Sequence, residues 1–214
     1  MNINSALRET PMDIYFSPLA CSLASRITLY ESGQEATFQR IDKARRTPSG
    51  EDYLTINPKG LVPALRTDDG VVLTENAAIL QYLADRRPDA GLAPNGFARY
   101  QLQQWLSFIG SELHKLVFGP LLAATPISAE GRAKVEADAA SRLGYLNDHL
   151  TGREWLLDDF SVADAYLAAV LNWNVAAKFD FTPYPAIQAY QQRLTARPAV
   201  GKAMAEEFAL YQAA

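Results

Sequence analysis

The residue best placed to do chemistry is Cys21, the single cysteine in a chain of 214 residues. It follows a strand-like run, Asp13-Ile14-Tyr15-Phe16, and the turn Ser17-Pro18-Leu19-Ala20, and it opens a helical segment with Ser22 beside it. A thiol at a helix N-terminus meets free backbone N–H groups and the positive end of the helix dipole, which favour the thiolate. A free thiol of pKa about 8.5 is only slightly ionised near neutral pH, and lowering it by about two units corresponds to about 2.7 kcal/mol of differential stabilisation. The competing assignment is a small buried hydrophobe, the usual fate of a free cysteine.

A dithiol oxidoreductase would carry a second cysteine three residues on, and Ala24 stands there. The chain therefore cannot resolve a mixed disulfide internally. If thiol chemistry occurs here, the second thiol comes from a small molecule, and glutathione is the abundant cytosolic candidate.

The elements that must position Cys21 fall into two parts with different patterning. From residue 12 to 87 strands and helices alternate. Asp13–Phe16 reads as a strand, Cys21–Ser32 as a helix closed by Gly33, and Ala36–Ile41 as a half-buried strand. Pro63–Arg66 and Val71–Leu73 are joined by Thr67-Asp68-Asp69-Gly70, a hairpin signal, and Glu75–Arg86 carries apolar residues at helical spacing up to Pro88. The order βαβ, loop, ββα predicts a small α/β unit with a mixed sheet. Residues 88–96, rich in proline and glycine, read as a linker. Beyond them the pattern is helical throughout: Phe97–Leu122, Ala129–Thr151, a helix from Ser161 through Val175, Pro185–Ala196 and Val200–Tyr211. Ser161-Val162-Ala163-Asp164 has capping-box spacing, with Asp replacing the usual Glu, and reads as a determinant of fold. The α/β part is thus followed by an all-α part, residues 97–214.

Composition excludes several functions. Apolar residues make up 49% and charged residues 21%, an ordinary globular balance, and 20 Lys and Arg against 24 Asp and Glu lack the basic excess of a nucleic-acid binder. No apolar run reaches the roughly 18 residues of a membrane span. One cysteine and two histidines leave little for a metal site, and no disulfide framework is available. Residues 1–11 are polar, lack the apolar stretch of a secretory signal, and read as a flexible extension before Met12, which is also a candidate alternative start. A soluble, cytoplasmic protein is the expectation.

Three segments make the reading specific: Tyr15–Ser25 around the cysteine, Asn57-Pro58-Lys59-Gly60-Leu61-Val62-Pro63-Ala64-Leu65, and Leu73-Thr74-Glu75-Asn76-Ala77-Ala78-Ile79 continuing to Asp85. They resemble the cytosolic glutathione S-transferases. With Glu112-Leu113-His114-Lys115 and the helix start Phe160–Leu167, the cysteine-bearing segment is similar to the bacterial beta class. The resemblance runs from Met12 almost to the end. It implies a thioredoxin-like N-terminal domain, a helical domain supplying the acceptor-substrate pocket, a homodimer, glutathione as co-substrate and no metal.

By this resemblance Val62-Pro63 is a cis peptide whose Val62 backbone aligns glutathione, with Leu61 beside it. Glu75 and Asn76, at a helix start, hold the γ-glutamyl end, although capping alone would also explain them. A basic residue among Lys43, Arg45 and Arg46 pairs with the glycyl carboxylate, and Lys115 contributes nearby. His114 lines the site near the sulfur. Phe16 and Trp173 are expected to line the acceptor pocket. Beta-class members often have tyrosine where this chain has Phe16, and Tyr15 should face the other side of its strand. Cys21 and Ser22 are therefore the candidates for activating the thiol.

Three functions are compatible with these residues. The first is conjugation of glutathione to small electrophiles. The second is thiol–disulfide exchange or peroxide reduction through Cys21, and the third is non-catalytic carriage of glutathione or apolar ligands.

Overall fold

The computed structural model describes residues 12–213. The reading of residues 1–11 as a flexible extension lies outside them. Strand β1 (Asp13–Phe16) leads through a tight turn into α1 (Leu23–Ser32), and β2 (Thr37–Arg40) returns parallel to β1. A four-residue helix, α2 (Tyr53–Ile56), falls within the stretch that the sequence reads as loop. Then β3 (Ala64–Arg66) pairs antiparallel with β1, and β4 (Val72–Thr74) antiparallel with β3, giving the sheet order β2-β1-β3-β4. The turn between β3 and β4 places Gly70 at φ 87°, a conformation that favours glycine at this hairpin position.

The pleat of β1 sorts its side chains. Ile14 and Phe16 point toward α1 and α3 (Asn76–Arg86), packing with Leu29, Leu65, Ile79 and Leu83. Tyr15 points to the opposite face, where it meets Tyr53, Ile56 and Ala64. This corrects the expectation that Phe16 borders an acceptor pocket. Its ring is 2% exposed, inside the α/β core, with the Arg26 guanidinium 4.8 Å from its centre.

The segment expected to be a linker is built into the fold. Pro88–Ala90 forms one 3-10 turn, Leu92 is buried in the helical core, and its carbonyl accepts the Val162 N–H at 2.9 Å. Burying a leucine stabilises by about 1.5–3 kcal/mol, so this segment anchors the helical part to the α/β part.

The helical part comprises α4 (Phe97–Phe108), a π-helical stretch (Ile109–Phe118), α5 (Gly119–Leu121), α6 (Ala129–Leu150), α7 (Val162–Leu171), α8 (Asn174–Ala177), α9 (Pro185–Ala196) and α10 (Pro198–Gln212). Where the sequence predicts one helix from Phe97 to Leu122, the backbone widens after Phe108, and the Gly119 N–H reaches back five residues to the His114 carbonyl. The helix expected through Val175 ends at Leu171 instead. All ten residues of α7 are buried, which explains why it is apolar on every side. It packs against α1, and Leu23, Ile27 and Leu80 of the α/β part join Leu106 and Leu167 in one continuous core. The turn bearing Cys21 therefore sits at the junction of the two parts. No helix among the described residues is long and apolar enough to cross a membrane.

Candidate functional site

The turn from Ser17 to Ser22 is held from several directions. Leu19 adopts φ 60°, a left-handed conformation that costs about 1–2 kcal/mol for a residue with a side chain. Two groups of the helical part fix it there. The Leu19 N–H donates to Glu207 Oε2 at 2.8 Å, and its carbonyl accepts from Trp173 Nε1 at 2.8 Å. Asn76 Nδ2 donates to the Cys21 carbonyl at 3.1 Å, tying the start of α3 to the same turn.

The second wall of the site is the strand entering β3. The Leu61 carbonyl accepts from Tyr53 Oη at 2.8 Å and from Asn57 Nδ2 at 2.7 Å. Those bonds fix the approach to the Val62-Pro63 peptide, which is cis. Leu61 itself is exposed beside it.

Between these walls and the π-helical stretch lies a cleft of about 690 Å³. Cys21, Val62, Asn76, His114, Lys115 and Tyr166 line it. Lys43, Lys59, Leu61, Pro63 and Glu75 form more of its border, and on the helical side Leu106, Ser107, Gly110 and Ser111 complete it. Of the basic loop, Lys43 and Arg45 reach the cleft; Arg46 turns away, its guanidinium donating to the Gly50 carbonyl at 3.4 Å.

Helix α1 starts at Leu23, so Cys21 lies in the turn before it rather than in its first turn. The residue is 8% exposed, and its thiol donates to the Val62 carbonyl at 3.3 Å. Burial pushes the thiol pKa up to about 11, outweighing the Lys115 charge and the backbone N–H groups of Cys21 and Ser22 that pull it down. This overturns the expectation of a lowered Cys21 pKa: the helix end acts in the expected direction, but desolvation is larger. Near neutral pH Cys21 is a protonated hydrogen-bond donor in the cleft wall.

Ser22 is fully buried. Its hydroxyl donates to the Ser17 carbonyl at 3.2 Å and accepts the Ser17 N–H at 3.3 Å, closing the turn. The structure therefore does not present Ser22 to a bound thiol, which corrects its expected role. Trp173 is likewise displaced from its expected place. It stands behind His114, ring centres 4.8 Å apart, with its N–H committed to Leu19.

His114 and Lys115 project from the wide π-helical turn, so neighbouring positions both reach the cleft. Burial, reinforced by the Lys115 charge, pushes the His114 pKa down to about 4. The imidazole is thus neutral at ordinary pH, and its Nδ1 lies 2.8 Å from Tyr166 Oη. Glu75 has φ 72° and immediately precedes α3; its carboxylate pairs with Lys59, whose Nζ also donates to Thr74 Oγ1 at 2.8 Å. Asn76 Oδ1 is buried without a hydrogen-bond partner among the described residues.

Tyr166 and Lys59 are site residues that sequence reasoning misses. Tyr166 does leave a signal: after Asp164 it carries the only polar side-chain group of α7. Lys59 lies inside the Asn57–Leu65 motif, but its contact across to Thr74 and Glu75 is tertiary. Among the described residues no group of three or more His, Cys, Asp or Glu could hold a metal ion.

Comparison with known proteins agrees with this architecture. Residues 20–86 match the family model described as the glutathione S-transferase N-terminal domain, and residues 111–198 match the C-terminal domain. Glutathione S-transferase GstA of Escherichia coli O157:H7 is 44% identical over 201 residues, spanning 92% of this chain and 98% of that one. A sphingomonad glutathione S-transferase solved with glutathione superposes with a TM-score of 0.86 at 44% identity, covering 91% of this chain and 98% of that one. A beta-class glutathione S-transferase of Sphingomonas chungbukensis gives 0.86 at 42% identity with the same coverage. The chain belongs to the glutathione S-transferase family, with bacterial beta-class members among its near structural relatives.

Proposed function

We propose that this chain is a glutathione transferase that binds glutathione in the cleft, stabilises its thiolate, and transfers it to small electrophilic, hydrophobic substrates. The observation that carries the reading is the convergence of four unlike groups on one cleft. They are the backbone at Val62, the start of α3 at Asn76, the cations Lys43 and Lys115, and the neutral His114. Glutathione offers a matching partner to each.

In this reading the Val62 backbone aligns the cysteinyl residue, and the Cys21 thiol yields the Val62 carbonyl when the ligand arrives. The first N–H groups of α3 receive the γ-glutamyl carboxylate, and the unpartnered Asn76 Oδ1 accepts from the ligand's ammonium. Glu75 reaches that ammonium by exchanging its Lys59 partner. Lys43, with Arg45, faces the glycyl carboxylate. The thiol releases its proton to solvent, and Lys115 and His114 stabilise the resulting sulfur anion; it attacks the electrophile and displaces a leaving group, or adds to it with the adduct taking up a proton from solvent. The acceptor then rests against Leu106, Ser107, Gly110 and Ser111.

Residues 12–87 act as the glutathione-binding domain, and 97–214 as the domain that shapes the acceptor side. A homodimer is the proposed assembly, supported by Phe97 and Tyr100, two large aromatic side chains 78% and 69% exposed on α4. Cytoplasmic detoxification is the proposed setting.

Conjugation to a chlorodinitrobenzene tests the chemistry. Cys21→Ser should retain kcat/KM within about threefold. A loss beyond about a hundredfold, with glutathione still bound, would give the chemistry to Cys21 and favour thiol–disulfide exchange. Binding without turnover on any electrophile or disulfide would make the protein a carrier.

A further inference from the structure

His114 makes one side-chain hydrogen bond among the described residues, between Nδ1 and Tyr166 Oη at 2.8 Å. The Asn76 amide is another polar group beside Tyr166 Oη, and the residue is 4% exposed. A buried phenol O–H needs an acceptor, and Nδ1, at 2.8 Å, is the one the geometry pairs with it. Burial holds the Tyr166 pKa well above its ordinary value, and the nearby Asn76 amide offsets this only in part, so the hydroxyl keeps its proton. A neutral imidazole carries one N–H; with Nδ1 accepting, that proton sits on Nε2.

The opposite tautomer fails twice. If Nδ1 carried the proton, Tyr166 Oη would accept it, and the phenol's own hydrogen would lose its 2.8 Å acceptor. Nε2 would then present a lone pair to an anion in the cleft.

The elements around this pair are rigid. Tyr166 lies one turn into α7, whose start is locked by the Ser161–Asp164 capping box. The His114 ring is wedged edge-on against Trp173, which is itself bonded to Leu19. The imidazole is thus fixed in orientation as well as in protonation.

We propose that Tyr166 is a positioning residue for glutathione transfer: its hydroxyl fixes His114 as the Nε2–H tautomer and so turns an N–H donor toward the sulfur of bound glutathione. The proposal rests on the reading that glutathione occupies this cleft.

The test is a long-range proton–nitrogen NMR spectrum of protein labelled on its two histidines, recorded without glutathione. His149 serves as an internal reference, because its Nε2 faces the Leu156 carbonyl at 2.9 Å and must carry a proton to bond there. Wild-type His114 should show the Nε2–H pattern alone near neutral pH. In Tyr166→Phe, His114 should show both tautomers while His149 is unchanged. Conjugation should then fall about tenfold in kcat, with the KM for glutathione within about twofold.

An Nδ1–H pattern in the wild type would overturn the proposal, as would a His114 signal unaltered by Tyr166→Phe. The wild-type spectrum decides the first point even if the variant fails to fold. An altered tautomer with unchanged kcat would overturn the role in the reaction. The expected spectrum in a protein that does not bind glutathione would overturn the cleft assignment, and with it the sulfur as the target of Nε2–H.

Discussion

Asp164→Ala is expected to lower unfolding stability by about 3–5 kcal/mol. The carboxyl group is fully buried and accepts four hydrogen bonds. Oδ1 receives the Leu156 N–H at 2.9 Å and the Tyr190 hydroxyl at 2.6 Å; Oδ2 receives the Ser161 N–H and hydroxyl, each at 2.9 Å. Truncation strands all four donors where water cannot replace the carboxyl group, and each buried unpaired group costs about 1–3 kcal/mol. One carboxyl group links the loop before α7, the start of α7 and α9, so the damage spreads across the helical part. In urea the midpoint should fall sharply at constant m. Asp164→Asn keeps the volume but turns an amide toward donors, and should fall between wild type and alanine. A stability change of less than about 1 kcal/mol in the alanine variant would show that the network can rearrange.

Glu207→Ala should destabilise the protein to a similar extent, about 3–5 kcal/mol, and also disturb the site, because the same carboxylate does two things. Oε1 accepts from Arg26 Nε at 2.9 Å and Oε2 from the Leu19 N–H at 2.8 Å. Arg26 is 5% exposed, with its guanidinium 3.6 Å from the centre of the Phe38 ring. Removing Glu207 leaves that buried cation with one carboxylate among the described residues, Glu206 at 3.3 Å, beside the Tyr30 hydroxyl. It also frees the Leu19 turn, whose left-handed backbone no longer has its donor satisfied. The alanine variant should therefore show a raised KM for glutathione and faster alkylation of Cys21 in the protein that remains folded. Glu207→Gln separates the two effects, since an amide oxygen can still accept from Leu19 while the charge is gone. It should retain near-normal KM yet lose stability. Equal KM values in all three proteins would show that the turn holds its shape without the Glu207 contact.

The features legible in the sequence are those that depend on residues close in the chain. The hairpin at Thr67–Gly70, the termination of α1 at Gly33, the long α6 and the capping box at Ser161 are all of this kind. Each is readable, because turn chemistry and apolar periodicity are local. The π-helical turn carrying His114 and Lys115 is not. Its apolar spacing still reads as ordinary helix, and the widening shows only in the backbone. Cys21 is the clearest case of the same limit. Its helix-end position is visible in the sequence, but the burial that reverses the direction of its pKa comes from α3 and the helical part. Ser22 and Trp173 can be found as residues but not as contacts. One hydroxyl closes its own turn, and the indole N–H is spent on Leu19, 154 positions away. The Glu207 contact to that turn crosses 188 positions and has no signature in spacing.

That the cleft converts the thiol of glutathione into a thiolate is tested most directly by ultraviolet titration of thiolate absorbance. The protein would be saturated with glutathione and carry Cys21→Ser, so that the bound ligand supplies the only thiol. The result predicted is a thiolate band already present near neutral pH, with an apparent pKa about one to two units below the ordinary value of about 8.5. A band that rises only around the ordinary value, with glutathione demonstrably bound, would contradict activation by Lys115 and His114.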